Sequence, residues 1–298
     1  ALNSEFGLEK DQKYERLISW LMGVVFGRWS MDSLFKNAEL LNNEQLIEPY
    51  NPKTPGQTGF LFEHTADIVS VDVYDESGVE NKIRNVIEVI LETDRSLVGC
   101  FSEFDDLSRM SEYLSKPKKY FNVHLKAYSA SKRVAPIYWP LQTVTGDYTL
   151  WLYYHSLSNE SLFKCVNEFI DPKIKNIEHE LSLIKMNADR SANEESKLSA
   201  LSESSVRLKD FKEKILYIAD FWHPNFDDGI QINAAPLWPL IQHKEWQKRL
   251  RKTWEELEKG KYDWSHMAYN IWPKRVLVAC REDRSIAIAH NVEADLWA

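Results

Sequence analysis

At residues 171–222 the chain reads DPKIKNIEHELSLIKMNADRSANEESKLSALSESSVRLKDFKEKILYIADFW, and this segment carries a seven-residue apolar repeat. Apolar residues recur at alternating four- and three-residue steps from Ile170 to Ile184, and again from Leu198 to Trp222. Only Ser205 interrupts the second series, and a small polar break at residues 187–193 separates the two. This pattern predicts an antiparallel helical hairpin with arms of roughly 25 and 40 Å.

A second predicted hairpin, made of strands, precedes this segment. Residues 137–141 and 148–154 are rich in aromatic and β-forming side chains, and they flank the turn sequence Thr145-Gly146-Asp147. Pro140 favours an edge position for the first strand because proline cannot donate a ladder hydrogen bond. The aromatic side chains can either stack on nucleic-acid bases or pack in a core, and core packing is the commoner arrangement.

The remaining segments alternate between helical and strand patterns. Helices are predicted at 11–28, 33–41, 79–91, 105–114, 118–128 and 243–257, and a strand is predicted within 60–74. The turn Asp227-Asp228-Gly229 is predicted to feed a short alternating strand that Pro236 and Pro239 stop. The fold class is therefore mainly α-helical α+β, with a small antiparallel sheet and a protruding helical hairpin.

Four segments follow from these patterns. They are an N-terminal helical segment with a Pro-rich loop (8–59), an α+β lobe with the aromatic β-hairpin (60–170), the helical hairpin (171–222), and a C-terminal strand with basic, Trp-rich helices (223–298). The loop at 48–59, with three Pro and two Gly, marks the first boundary.

Composition restricts the class of protein. The chain has 298 residues, 44% of them hydrophobic and 28% charged, and a formal net charge of −8. Such a charge argues against diffuse binding of polyanions and requires any nucleic-acid contact to use local basic clusters. Three distant cysteines and the lack of a long apolar run predict a cytoplasmic protein without disulfides or a membrane span.

Motifs for catalysis or cofactor binding are missing from the sequence. We find no phosphate-binding P-loop, no zinc-spaced Cys/His pairs, no nucleophile elbow and no Asn-Pro-Pro-aromatic loop of amino-methyltransferases. Asp72 with Glu80 and Lys82 matches a metal-nuclease pattern, but that short pattern also occurs at Glu195 and Lys197. No catalytic residue and no metal site is predicted, and solvated surface is the favoured interpretation. For Asp227-Asp228-Gly229 a turn with positive φ at Gly229 is favoured over a cation site.

Local clusters of basic residues are the candidates for binding. On residues 243–257, Lys244, Lys248, Arg251 and Lys252 share one helical face, and Trp246, Leu250, Trp254 and Leu257 form the opposite apolar face. Phosphate contact and an ordinary solvated helix face both fit this pattern. The full set of candidate phosphate-binding residues is Lys116, Lys118, Lys119, Lys126, Lys132, Arg133, Lys244, Lys248, Arg249, Arg251, Lys252, Lys274 and Arg275.

The segments quoted above resemble the C-terminal, non-catalytic region of PglX-type adenine-specific DNA methyltransferases. These enzymes belong to bacterial BREX phage-defence systems and are similar to type IIG restriction–modification methylases. The resemblance rests on RLISWLMGVVFGRWSMD (16–32), APIYWPLQTVTGDYTLWLYYH (135–155), VNEFIDPKI (166–174) followed by the heptad hairpin, DDGIQINAAPLWPLI (227–241), EWQKRLRKTWEELEKGKYDWSHMAYNIWPKRV (245–276) and REDRSIAIAHNVEADLW (281–297).

The resemblance implies target recognition and not catalysis. Double-stranded DNA is the expected partner, together with the enzyme's own N-terminal methyltransferase domain, which would hold S-adenosylmethionine and flip out the adenine. This chain alone is expected to bind no cofactor and to perform no methyl transfer. The alternative hypothesis is a protein-interaction scaffold that docks other subunits of a defence complex through the helical hairpin.

Overall fold

The structure is a computed structural model, and it describes residues 10–28, 66–72, 78–93, 108–116, 118–130, 133–187, 189–259 and 273–297. Within these ranges the protein is mainly α-helical with a small antiparallel sheet, as predicted. Two compact units, Ala1–His124 and Leu125–Ala298, divide the chain. The predicted helix at 33–41 and the predicted loop boundary at 48–59 lie outside the described residues.

The first unit is built mostly from helices. It contains α1 (Lys10–Val25), β1 (Ile68–Asp72), α2 (Val79–Thr93), α3 (Ser108–Ser115) and the start of α4 (Tyr120–Ala127). Residues 21–26, at the end of α1, are buried on every side, as their continuous apolar sequence predicts. Tyr113 links α1 to α4, because its ring lies 5.5 Å from Tyr14 and 6.1 Å from Tyr120.

The second unit opens with strands. After the two-residue strands β2 (Ser129–Ala130) and β3 (Arg133–Val134) come β4 (Tyr138–Gln142) and β5 (Tyr148–Tyr153). These last two pair antiparallel, with Pro140 opposite Trp151. Gly146 turns the hairpin with a φ of +72°, a conformation that glycine adopts without steric strain. Every residue of both strands is buried, so the aromatic side chains belong to the core.

The helical hairpin follows a continuous helical stretch. Short α5 (Ser161–Lys164) runs through one π-helical segment (Cys165–Ile170) into α6 (Asp171–Met186), and α7 (Ala192–Ala219) returns antiparallel to it. The apolar seam lies between the arms, and even the polar Ser205 in it is buried. At the tip, Ser191 and Glu194 form a reciprocal capping box that starts α7.

Burial along the hairpin changes with distance from its base. Ile174, Ile177, Phe211 and Ile215 near the base are buried. No described residue between 178 and 204 is fully buried. The distal half is held by seam contacts and by surface ion pairs, such as Lys197–Glu180 at 3.1 Å. The hairpin therefore protrudes, as the sequence predicts.

The prediction of a strand after Gly229 is wrong. Gly229 has the predicted positive φ (+79°), but it precedes a helix, α8 (Ile230–Ala234), and a 3₁₀ helix (Ala235–Leu240). Residues 232–237 are buried without alternation, so packing against neighbouring helices overrides the weak two-residue period. Pro236 lies at the first turn of the 3₁₀ helix, where a missing N–H costs nothing.

The C-terminal helices build a hydrophobic cluster of their own together with α8. These helices are α9 (Lys244–Glu258), α10 (Pro273–Glu282), α11 (Arg284–Ala289) and α12 (Glu293–Leu296). Ile232 of α8, Leu257 of α9, Val276 and Cys280 of α10 and Ala287 of α11 meet in this cluster. None of the helices described here combines the length and apolar character needed to cross a membrane.

Candidate nucleic-acid interface

Helix α9 carries the most concentrated basic cluster. The orientation of this helix is fixed by its N-terminal cap and by its buried apolar face. His243 caps its N-terminus, because Nδ1 accepts a hydrogen bond of 3.3 Å from the backbone N–H of Trp246. Burial lowers the pKa of His243, which keeps the ring neutral and able to accept. Trp246, Leu250 and Leu257 are buried, as the amphipathic pattern predicts. The opposite face must therefore point to solvent.

That opposite face, which we call the basic face, consists of Lys244, Lys248, Arg251 and Lys252, and all four are exposed. Arg251 pairs with Glu255 at 2.9 Å and Lys252 with Glu256 at 3.5 Å. Lys244 and Lys248 form no ion pair with any residue in the described ranges. Two of the four cations are thus available to an external anion without losing a carboxylate partner.

The charges of α9 oppose the helix dipole. Cations cluster in its first half, whereas Glu255, Glu256 and Glu258 occupy its last turn, which has no basic residue. The N-terminus of a helix carries partial positive charge, so each misplaced charge costs about 0.3–1 kcal/mol. Glu245 in the first turn offsets Lys244, and the i,i+4 pairs of Arg251 and Lys252 support the helix, so the unfavourable part of the pattern is confined to the last turn.

Arg249 is placed differently from its neighbours. It is only partly exposed, and its Nε donates to Oε1 of Gln231 at 3.0 Å. The amide of Gln231 in turn donates to the hydroxyl of buried Thr253 at 2.7 Å. This network connects α8 to α9. The guanidinium of Arg249 therefore has a structural role, which its position in a basic stretch of sequence did not indicate.

The first basic cluster has residues in both compact units. Lys116 and Lys119 both bind Glu112, the latter at 3.2 Å. Hydrogen bonds from Lys116 and Lys119 lower the pKa of Glu112. Lys118 is exposed in the first unit, and Lys126 and Arg133 are exposed in the second. Lys132 lies outside the described residues.

The third cluster contributes one described cation. Lys274 is exposed in the first turn of α10. Arg275 belongs to the same helix, but its side chain lies outside what the structure describes. The basic face of α9 is therefore the candidate that rests on the most complete geometry.

Several alternative sites receive no geometric support. Tyr138, Trp139, Tyr148 and Trp151 are buried, so the β-hairpin offers no stacking platform and the core interpretation is confirmed. Glu80 lies in the first turn of α2, not at a strand end. Within the described residues, no three His, Cys, Asp or Glu side chains are grouped so that they could hold a metal ion.

The two cysteines that the structure describes show no nucleophilic activation. Cys165 and Cys280 are free thiols and both are buried. Burial raises the pKa of both thiols, which disfavours the reactive thiolate. Neither side chain is prepared for covalent catalysis.

The chain matches no protein-family model and no curated protein. The resemblance to adenine-specific methyltransferases therefore remains a prediction from the sequence.

Proposed function

We propose that this chain is the DNA-recognition region of an adenine-specific DNA methyltransferase of a bacterial phage-defence or restriction–modification system. The proposal rests on the family resemblance and on one structural observation, the basic face of α9. Under this proposal, methyl transfer is carried out by a catalytic domain outside residues 1–298, which binds S-adenosylmethionine and extrudes the adenine.

The basic face suits the phosphate backbone of duplex DNA. Its four cations lie within nine residues on one side of a helix, at a spacing of about 1.5 Å per residue along the axis. Lysine and arginine at phosphates release condensed counterions, which supplies affinity without sequence preference. Contacts of this kind position the protein on DNA, and base recognition needs further residues.

Neutralising Lys244 and Lys248 provides the test. These two are preferable to Arg251, because Arg251 also pairs with Glu255 and lies over Trp238. We expect Lys244→Gln/Lys248→Gln to weaken binding of a labelled DNA duplex by about tenfold in anisotropy titrations. The slope of log K against log salt should become shallower by about 2, close to 0.9 per lost phosphate contact.

The matched control removes the same charge elsewhere. Lys175 and Lys185 are exposed on α6, and Lys175→Gln/Lys185→Gln should leave affinity and salt slope close to those of the unsubstituted chain. Equal affinities for the two double variants, with equal salt slopes, would remove the basic face from the proposal.

A protein-interaction scaffold is the second candidate, and the surface of the hairpin favours it. Leu183 is 55% exposed, Met186 80% and Val206 68%, and all three lie on its outer faces. Leu183 and Met186 lie one helical turn apart near the tip, so their exposed side chains share one face of a projecting element and are candidates for docking. Replacing residues 179–202 by a short turn, followed by capture of other defence-complex subunits, tests this function. Loss of capture with unchanged DNA affinity would favour the scaffold over the DNA-recognition role.

A further inference from the structure

An aromatic groove of about 400 Å³ lies between the C-terminal half of α7, the 3₁₀ helix at Ala235–Leu240 and α9. Tyr217 and Phe221 come from α7, Trp238 from the 3₁₀ helix and Trp254 from α9. The ring of Phe221 lies 5.7 Å from both Tyr217 and Trp254. Tyr217, Phe221 and Trp254 thus form a continuous aromatic row, and Trp238 lines the same groove, so we call these four rings the aromatic wall.

The wall reaches solvent and is not a piece of the core. Tyr217 is 72% exposed, and Phe221, Trp238 and Trp254 are each partly exposed. On α7 the seam uses Ile215 and Ile218, so Tyr217 lies on the outer surface, where a large aromatic ring does not contribute to hairpin packing. An exposed aromatic cluster of this size is typical of a binding surface.

The rim of the groove is acidic. Asp210, Glu213 and Glu258 line it and are exposed. Asp210 is neutralised by Lys214 at 2.7 Å. Neither Glu213 nor Glu258 forms an ion pair with any other residue that the structure describes. Two uncompensated carboxylates beside aromatic faces repel phosphate and attract a cation.

The guanidinium of Arg251 already makes a cation–π contact with one ring of the groove. The Cζ atom of Arg251 lies 5.1 Å from the centroid of the Trp238 ring. Such cation–π contacts favour arginine, whose planar group stacks on an indole while its N–H groups remain free for carboxylates. Glu213 and Glu258 line the same groove as the other rings of the wall.

We propose that this groove binds an arginine-bearing peptide segment of a partner protein. The volume lies near the lower end of ordinary ligand pockets and accommodates one or two side chains, not a folded domain. The arginine stacks on the aromatic wall and pairs with Glu213 and Glu258, while the peptide backbone stays at the exposed mouth. This proposal is independent of the DNA-recognition function, because the charge of the groove has the opposite sign, although the two surfaces meet where Arg251 lies over Trp238.

The test uses the full chain and a fluorescein-labelled glycine–serine peptide that contains two arginines. A peptide with citrulline in place of arginine keeps the shape but removes the charge and two of the five N–H donors. We expect the arginine peptide to bind about tenfold more tightly than the citrulline peptide. Glu213→Gln/Glu258→Gln should weaken the arginine peptide about tenfold, and Tyr217→Ala about fivefold, in line with cation–π and charge-assisted contacts.

The control variant Glu168→Gln/Glu282→Gln makes the same change in net charge at exposed positions outside the groove, and its affinity should stay within about twofold of the unsubstituted chain. Equal binding of the arginine and citrulline peptides, or undiminished binding by Glu213→Gln/Glu258→Gln, overturns the proposal. Circular dichroism and the thermal midpoint confirm that each variant is folded.

The two proposed sites are separable in the same assays. Lys244→Gln/Lys248→Gln should leave arginine-peptide binding unchanged, whereas Glu213→Gln/Glu258→Gln should leave DNA binding unchanged or slightly stronger. Failure of DNA binding alone therefore counts against the proposed function, and failure of peptide binding alone counts against the groove.

Discussion

Arg207 of α7 binds Asp147 in the turn of the β4–β5 hairpin, with Nη2 and Nε 2.8 and 2.9 Å from Oδ2. The other carboxylate oxygen accepts hydrogen bonds from the hydroxyls of Thr143 and Thr145. Partial burial works to raise the pKa of Asp147, but the threonine hydrogen bonds and Arg207 outweigh it and hold this pKa below its ordinary value. The contact joins the helical hairpin to the sheet.

Removal of this contact should lower stability modestly. We expect Arg207→Gln to reduce the free energy of unfolding by about 1 kcal/mol, because the pair is forked but about one-third exposed. The contribution is present at neutral pH and is lost as the pH falls through the lowered pKa of Asp147. Urea titration measures it, with Lys209→Gln, which breaks a more exposed pair with Glu178, as the control. Equal losses for both variants would contradict the expectation.

Asn233 should be one of the most sensitive polar positions. Its buried amide donates to the carbonyls of Asn225 and Gly229 at 2.6 and 2.8 Å, and its Oδ1 accepts from the Asn225 N–H at 2.8 Å. Asn233→Ala leaves these backbone groups without their partner, which we expect to cost about 2–4 kcal/mol. Exposed Asn176 provides the matched control, whose alanine variant should change unfolding by under about 0.5 kcal/mol. A comparable effect at both positions would show that the network is dispensable.

Acid should destabilise the protein through His124. Burial, with a smaller effect from the charge of Arg28, lowers the pKa of His124 from 6.5 to about 3. The unfolded chain therefore binds a proton at a pH where the folded chain does not, and stability falls as the pH drops below 6.5. Between pH 7 and pH 5 the loss should be about 2 kcal/mol.

The neutral variant His124→Gln should remove that part of the pH dependence. Exposed His179 is the control, and His179→Gln should leave the pH dependence of the unfolding free energy as it is. Denaturant titrations at pH 5, 6 and 7 give the comparison. A pH profile that His124→Gln leaves unaltered would mean that the imidazole is protonated in the folded protein.

Shortening the helical hairpin should show that its distal half contributes little to stability, whereas its base is part of the core. Replacement of residues 179–202 by a short Gly/Asn turn removes no fully buried described residue, so we expect a folded protein that loses under about 2 kcal/mol. Deletion of residues 173–218 also removes buried Phe211, Ile215 and Ile218, and should prevent folding. Thermal unfolding followed by circular dichroism distinguishes the two. If the variant that replaces residues 179–202 is unfolded, the tip of the hairpin belongs to the cooperative folding unit.

Sequence periodicity predicted the long elements well. The heptad seam gave both arms of the hairpin, and the aromatic segments around Gly146 gave the β-hairpin, because these patterns extend over many residues. It failed at Ile230–Ala234, where five residues are too few for a period to outweigh packing from several sides. The basic face of α9 followed from a 3.6-residue period, but the partner of Arg249 could not be found from sequence, because Gln231 is 18 residues away.

The aromatic groove was harder to predict than the basic face. Its side chains come from three elements, and Trp254 reads as an ordinary core position of α9. The groove was not predicted from the sequence, and the one signal that could have indicated it is Tyr217, a large ring outside the heptad seam. A large aromatic ring on the solvent side of a helix is not needed for the packing of the seam, so its position has to be explained by something other than the heptad pattern.

The capping box at Ser191 and the ion pair of Lys212 with Asp171, at 2.6 Å, fix the two ends of the hairpin independently of the residues between them. Insertion or removal of one seven-residue repeat in each arm would preserve the seam and both ends. Each such step would move the tip by about 10 Å, given the rise of about 1.5 Å per residue. The length of the hairpin can thus change in steps of one heptad without any change in the residues that pack at its base.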